Sequence, residues 1–138
     1  VKFEPWHLTW LALQPSQGHV AHLLTRSHGQ ALQYTGPCFT AFAGRDVIAV
    51  AGICKFWEGR AQVWSMLSPL MPQYKKTIHK AVKRVIDDYR VARLECVVDP
   101  RYPAAVRWAM RLGFVHESNM LNYGPDGSTH LMMVRIEI

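Results

Sequence analysis

Five side chains in this sequence have the type a general base requires: Glu58, Glu95, Glu117, His7 and His79. A carboxylate or a neutral imidazole takes a proton from an incoming nucleophile, directly or through one water. Each also has a structural reading, and Glu95, inside the apolar run Leu94 to Val98, reads as a residue on a sheet face. Seven histidines invite a metal reading, but none forms a His-x-x-x-His pair and no cysteine pair accompanies them. His19 and His22 are three apart, a spacing more often found on a wet surface, so no metal site is expected. Cys96, flanked by Glu95 and Val97, has no evident histidine partner and reads as an inert buried thiol. Trp64 and Trp108 fit core positions, whereas Trp57, beside a turn, is the tryptophan expected to face solvent.

The elements that position these groups follow from periodicity. Pro5 to Tyr34 is helical in character, with Leu8 and Leu11 on one face, Ser16 as a cap for a second segment, and Gly29 as its break. Three strands are expected next: Cys38–Ala43, Val47–Trp57 and Ala61–Ser68, joined by the turns Gly44-Arg45-Asp46 and Glu58-Gly59-Arg60. Pro69 and Pro72 stop the third strand. Ile78, Ala81, Val82, Val85, Ile86 and Tyr89 then fall at helical spacing, and the opposite face carries Lys76, Lys80, Lys83, Arg84 and Asp87. Arg93–Val98 is a short buried strand, and Pro103 opens a helix that Gly113 closes. Two strands, near Phe114–Tyr123 and Thr129–Ile138, meet in a hairpin at Gly124-Pro125-Asp126-Gly127. The helix between Ala61–Ser68 and Arg93–Val98 requires a crossover, so that pair is expected to be parallel in an otherwise antiparallel sheet. The carboxyl ends of such a pair tend to form a ligand crevice.

The 138 residues bound a single domain, 1–138, with a core of its own. Apolar residues at 49% and charged residues at 19% exclude a disordered chain. No apolar stretch approaches bilayer length, so no membrane partner is expected. Val1-Lys2-Phe3-Glu4-Pro5 is too polar and Pro-broken for a signal peptide, so secretion is not expected either. Cys38, Cys54 and Cys96 are odd in number and sit among apolar neighbours, as free thiols of a reducing compartment do. A net charge of +6 favours an anionic partner.

The order helices, three strands, helix, strand, helix, hairpin resembles the GNAT (Gcn5-related N-acetyltransferase) fold over nearly the whole chain. Its most specific stretch runs from Arg93 to Tyr123, "RLECVVDPRYPAAVRWAMRLGFVHESNMLNY". Within it "AVRWAMRLGFVHE", followed by "YGPDG", is similar to small GNAT-like proteins of tailed phages, among them the internal virion protein A group of podophages. The resemblance implies an α/β (α+β) fold: a mixed, mostly antiparallel sheet flanked by helices, with one parallel pair, the fourth and fifth strands in the family's count. It implies acetyl-CoA as cofactor, with Met66, Leu67 and Ser68 holding the pantetheine by strand-like hydrogen bonds. The family's phosphate loop reads Gln/Arg-x-x-Gly-x-Gly/Ala, and its glycines let backbone N–H groups close on the pyrophosphate. Here the corresponding segment, Ser68 to Thr77, has no glycine, and none occurs from Arg60 to Leu112. Gln73, Lys75, Lys76 and Thr77 are then the expected phosphate ligands, two cations and a hydroxyl replacing glycines. The alternative for these lysines is a solvated helix face. The tyrosine that the family often places four residues before the Gly of Gly-Phe, to protonate the departing thiolate, is Ala109 here. The Asn often found earlier in that helix aligns with Tyr102.

Two functions follow. One is a phage-encoded, acetyl-CoA-dependent N-acetyltransferase with a degenerate cofactor loop. The other is a non-catalytic virion structural or assembly protein that keeps the fold to bind other phage virion proteins or an acidic partner. Nucleic acid suits the charge, but no nucleic-acid-binding motif supports it. The expected locations are the host-cell cytoplasm and the virion.

Overall fold

The unbroken apolar run Val47-Ile48-Ala49-Val50, all four residues buried, builds the centre of the molecule. In the computed structural model the described residues are 1–137, the side chains of Pro15, Ser16, His19 and Val20 excepted. Strands β1 (Cys38–Ala43), β2 (Asp46–Trp57) and β3 (Arg60–Leu67) form an antiparallel meander. Helix α2 (Lys75–Asp88) crosses over to β4 (Arg93–Val98), and α3 (Pro103–Arg111) leads to the hairpin β5 (Val115–Met120) and β6 (His130–Ile136). The sheet has six strands in the order β1-β2-β3-β4-β6-β5. Only β3 and β4 are parallel among its neighbours. This is the mixed sheet that the crossover helix predicts. The pair numbered fourth and fifth by the family's count is third and fourth along this chain.

The β3/β4 pairing is short. It joins Arg60 to Arg93, Ala61 to Leu94 and Gln62 to Glu95. Beyond those three positions the strands part, so the sheet opens toward their carboxyl ends, while β4 stays fully paired with β6 through Val98. Helices α2 and α3 pack on one face: Ile86, Ala109, Leu112 and Phe114 bury against Ile53, Ala61, Leu94 and Met133. Both run back from the carboxyl ends of parallel strands, so they lie side by side in the same direction. The N-terminal segment covers β1, β2 and β3 on the other face, with Phe3, Leu8 and Leu11 against Val47, Val50 and Met66.

The N-terminal third departs from expectation. Pro5–Trp10 and Pro15–Leu23 are 3-10 helices, and α1 (Arg26–Thr35) follows, capped by the Thr25 hydroxyl accepting from the His28 N–H. Gly29 does not break a helix; it lies inside α1, buried against Pro5, where a Cβ would stand 2.7 Å from the Pro5 backbone. The Ser16 side chain, expected to cap the second segment, lies outside the described residues. Residues Val1 and Phe3 bond to Thr40 and Cys38, a rudimentary strand alongside β1. Further on, α2 begins at Lys75, where Lys75, Lys76 and Thr77 are expected to open the helix, and the 3-10 turn Met71–Tyr74, with Pro72 in its first turn, feeds it directly. Strand β5 is shorter than Phe114–Tyr123, since Phe114 is spent on the end of α3. There the Phe114 N–H reaches the Ala109 carbonyl and the Gly113 N–H the Met110 carbonyl, a Schellman cap with Gly113 at φ 96°.

Candidate functional site at the divergence of the parallel strands

Where β3 leaves β4, its edge carries backbone groups that the sheet no longer pairs. On a strand, the N–H and C=O of alternate residues share an edge, so Ser65 and Leu67 present theirs together. Met66 pairs with Val50 on the β2 side. The exposed edge is not free. The Gln17 side-chain amide donates to the Ser65 carbonyl at 3.0 Å and accepts from the Leu67 N–H at 2.7 Å. The Gln14 N–H donates to the Leu67 carbonyl at 2.8 Å. Ser68 is also engaged: its N–H bonds to Ile48, its carbonyl to the Met71 N–H, and its buried hydroxyl accepts from the Leu70 N–H. Met66, Leu67 and Ser68 therefore lie together at the divergence, as the sequence suggests, with their backbone groups bonded within the protein. Sequence reading missed Gln14 and Gln17. An uncharged side chain whose partner is 48–50 residues away leaves no spacing signal.

Beyond that edge starts α2. Gln73, Lys75, Lys76 and Thr77 are all exposed, and neither lysine has an acidic partner among the described residues. The first turn of the helix points its unpaired N–H groups outward, and no acidic residue occupies that turn. The arrangement can hold phosphate oxygens with helix N–H groups and two cations.

The expected bases lie elsewhere. Glu95 is buried at the closed end, where β3 and β4 still pair. It accepts from Arg60 at 2.5 and 3.0 Å and from Arg93 at 2.7 Å. The Arg60 hydrogen bond, followed by that of Arg93, holds its carboxyl below the usual range despite burial. Glu117 forms a two-pronged pair with the same Arg93, both contacts at 2.6 Å, and Glu58 pairs with Lys55 in solvent. Glu95 and Glu117 share one network through Arg93, Glu58 has its own separate pair, and each of the three carboxylates already faces a cation. His7 is buried beneath the N-terminal segment, its Nδ1 bonded to Thr40 Oγ1 and the Glu4 N–H. His79 Nδ1 accepts from the Trp108 indole N–H at 3.1 Å, which ties α2 to α3.

At the open end stands a group the sequence analysis did not assemble. Asp99 follows the last residue of β4, and His130 opens β6 beside it, with Nε2 3.8 Å from the carboxylate. With Arg101, Asp126 and Ser128 they line a cavity of about 120 Å³. Tyr123 packs on the His130 ring, centroids 5.3 Å apart. Hydrogen bonds from Arg101 hold Asp99 below the usual carboxylate range. The larger cavity, about 180 Å³, lies at the other end, between Asp87, Arg90, Arg135 and Glu137. Ala109, where the family's acid tyrosine is looked for, is buried and carries no hydroxyl. Trp57 is 59% exposed, as its place beside a turn predicts.

No family model matches the chain, and no curated protein sequence matches it. Solved structures do. An acetyltransferase of the GNAT family from Streptococcus pneumoniae superposes with a TM-score of 0.72 at 14% identity, over 99% of this chain and 96% of the other. The ribosomal-protein-S5-alanine acetyltransferase of Vibrio fischeri gives 0.70 at 17% identity, over 99% and 91%. The yncA protein of Salmonella typhimurium, solved with its cofactor acetyl-CoA, gives 0.66 at 17% identity, over 80% and 70%. At these identities the likeness establishes the fold: the chain has the GNAT architecture.

Proposed function

We propose that this protein is an acetyl-CoA-dependent N-acetyltransferase with a degenerate cofactor loop, encoded by a phage. One observation carries the reading: β3 and β4 pair over three residues and then diverge, with the cationic start of α2 beyond the open edge. The phage assignment rests on the "AVRWAMRLGFVHE" and "YGPDG" segments alone.

The residues present fit the cofactor at both ends. Lys75, Lys76, Thr77 and the first N–H groups of α2 suit its phosphates. Its pantetheine contains amides, each with one donor and one acceptor. The Gln17 amide already uses that same donor–acceptor pair on Ser65 and Leu67. Exchange of one amide for another conserves the hydrogen bonds, so occupancy requires Gln17 to withdraw. When bound, the cofactor supplies an activated acetyl thioester. The chain must then orient the amine and remove its proton, and position alone supplies much of the rate. His130 is the group suited to take that proton, with Asp99 beside Nε2 to stabilise the imidazolium. Glu95 is excluded from the role by its two arginine partners.

A second reading has its own support. Ala109 and the self-bonded β3 edge favour a non-catalytic virion or assembly module. Calorimetric titration with acetyl-CoA separates the two. Each charge-assisted phosphate contact is worth roughly 1.5–3 kcal/mol, so Lys75→Ala with Lys76→Ala should weaken binding by about a hundredfold or more. Gln17→Ala should tighten it. No heat with either wild type or Gln17→Ala at about millimolar ligand (an affinity near −4 kcal/mol) ends the acyltransferase reading and leaves the second one.

A further inference from the structure

The positive charge of this protein is not spread evenly. Seven of its sixteen Lys and Arg residues lie on α2 and α3: Lys75, Lys76, Lys80, Lys83 and Arg84, then Arg107 and Arg111. Residues 75–86 and 103–111 contain no carboxylate; Asp87 and Asp88 come only in the last turn of α2. The remaining nine cations share the rest of the chain with eight of the ten carboxylates.

Pairing sharpens the contrast. Among the described residues, six of those nine cations hold a carboxylate within 4 Å: Lys55, Arg60, Arg90, Arg93, Arg101 and Arg135. On the two helices only Lys83 does, through Asp87. All seven helix cations are exposed. The shared core and the Trp108–His79 bond set α2 and α3 side by side, so their outer faces make one surface. Lys76, Lys80, Lys83 and Arg84 fall on one stripe of α2 at i, i+4, i+7 and i+8, a row roughly 12 Å long at 1.5 Å per residue. Arg107 and Arg111 make a second row, one turn apart on α3. Six of the seven have no carboxylate partner among the described residues, and such a cluster of like charges on rigid helices repels itself until an anion neutralises it.

We infer that the outer face of α2 and α3 docks on the phosphate backbone of double-stranded DNA, independently of sequence. The exposed cationic face of a helix can lie along the wide major groove of B-form DNA, whereas the narrow A-form major groove of duplex RNA excludes it. Contacts confined to phosphates position the protein without reading bases. Four to six neutralised phosphates give an affinity that falls with salt at a log–log slope of about −3.5 to −5.5. This docking does not depend on whether the diverging strands bind acetyl-CoA.

Fluorescence anisotropy with a labelled DNA duplex of about 20 base pairs, between about 50 and 200 mM NaCl, tests it. The quadruple change Lys80→Glu, Arg84→Glu, Arg107→Glu, Arg111→Glu leaves Lys75 and Lys76 untouched and alters only exposed, unpaired side chains. It should retain the wild-type circular dichroism and lose at least about thirtyfold in affinity, roughly 2 kcal/mol. A control, Lys2→Glu, Arg26→Glu, Arg45→Glu, changes the three unpaired cations outside the two helices and should cost less than about threefold. The inference is overturned by absence of wild-type binding at the lowest salt, or by equal losses in quadruple and control variants. Tighter binding of poly-glutamate than of the duplex also overturns it, making the partner an acidic protein instead.

Discussion

His7 shows how far a side chain's type can lie from its role. It is a neutral acceptor, not a base at a reaction centre. Its Nδ1 accepts from the Glu4 N–H at 3.0 Å and lies 2.7 Å from Thr40 Oγ1, and Phe3, Trp6 and Phe42 enclose the ring. Burial lowers its pKa from the ordinary 6.5, outweighing the opposing pull of Glu4. Below 6.5 the unfolded chain therefore binds more protons than the folded one, and stability falls as pH falls. The contribution is complete above that value and is lost as pH drops through the depressed folded value. Thermal unfolding should shift downward between about pH 7.5 and pH 5.5, and less so in His7→Gln. A wild-type midpoint that stays level over that span would refute this. The sequence names His7 as titratable, but its burial depends on Thr40, thirty-three residues on. Glu95 adds the converse: its neighbours place it on a sheet face, but only the fold shows Arg60 and Arg93 around its carboxylate. Asp99 and His130, thirty-one residues apart, meet only because β4 and β6 pair.

The elements that sequence reading finds are those whose signal is local. The apolar period of α2, the alternation of β3 and the glycine after α3 each declare themselves within a few residues. Gly29 does not, because the reason for it is Pro5, which passes against α1. Three alanine substitutions separate the cases by chemical denaturation. Gly29→Ala forces a Cβ to 2.7 Å from the Pro5 backbone and should cost about 1–3 kcal/mol as overpacking. Gly113→Ala meets only the flexible end of Arg135, at 3.3 Å, yet holds φ at 96°, so backbone strain of about 1–3 kcal/mol applies. Gly18→Ala has nothing within 4 Å and should change stability by less than about 0.5 kcal/mol. If Gly29→Ala is as mild as Gly18→Ala, the packing of α1 on the first 3-10 helix is wrong.

At the scale of the molecule, chain order alone leads to the parallel pair, since a crossover helix leaves little choice of hand or direction. The three cysteines are also as expected: all are free. Burial raises Cys38 to about 11 and Cys96 to about 12, so both are thiols rather than thiolates at neutral pH. Alkylation of the folded protein should therefore spare these two, and alkylation without reductant after unfolding should modify all three. A mass deficit matching a disulfide would contradict this. What chain order does not show is how β3 ends, because its edge is completed by the Gln17 side chain and the Gln14 backbone N–H from the N-terminal segment. That completion has a consequence for association. Strands that part inside a sheet create two unpaired edges where an intact sheet has none, and such an edge invites a strand from another chain to add to it. The Gln17 amide, with Gln14 behind it, gives the β3 edge a partner that has no further edge of its own to offer. Growth of the sheet stops there, so the glutamine whose withdrawal the proposed function requires also guards the edge against self-templated aggregation.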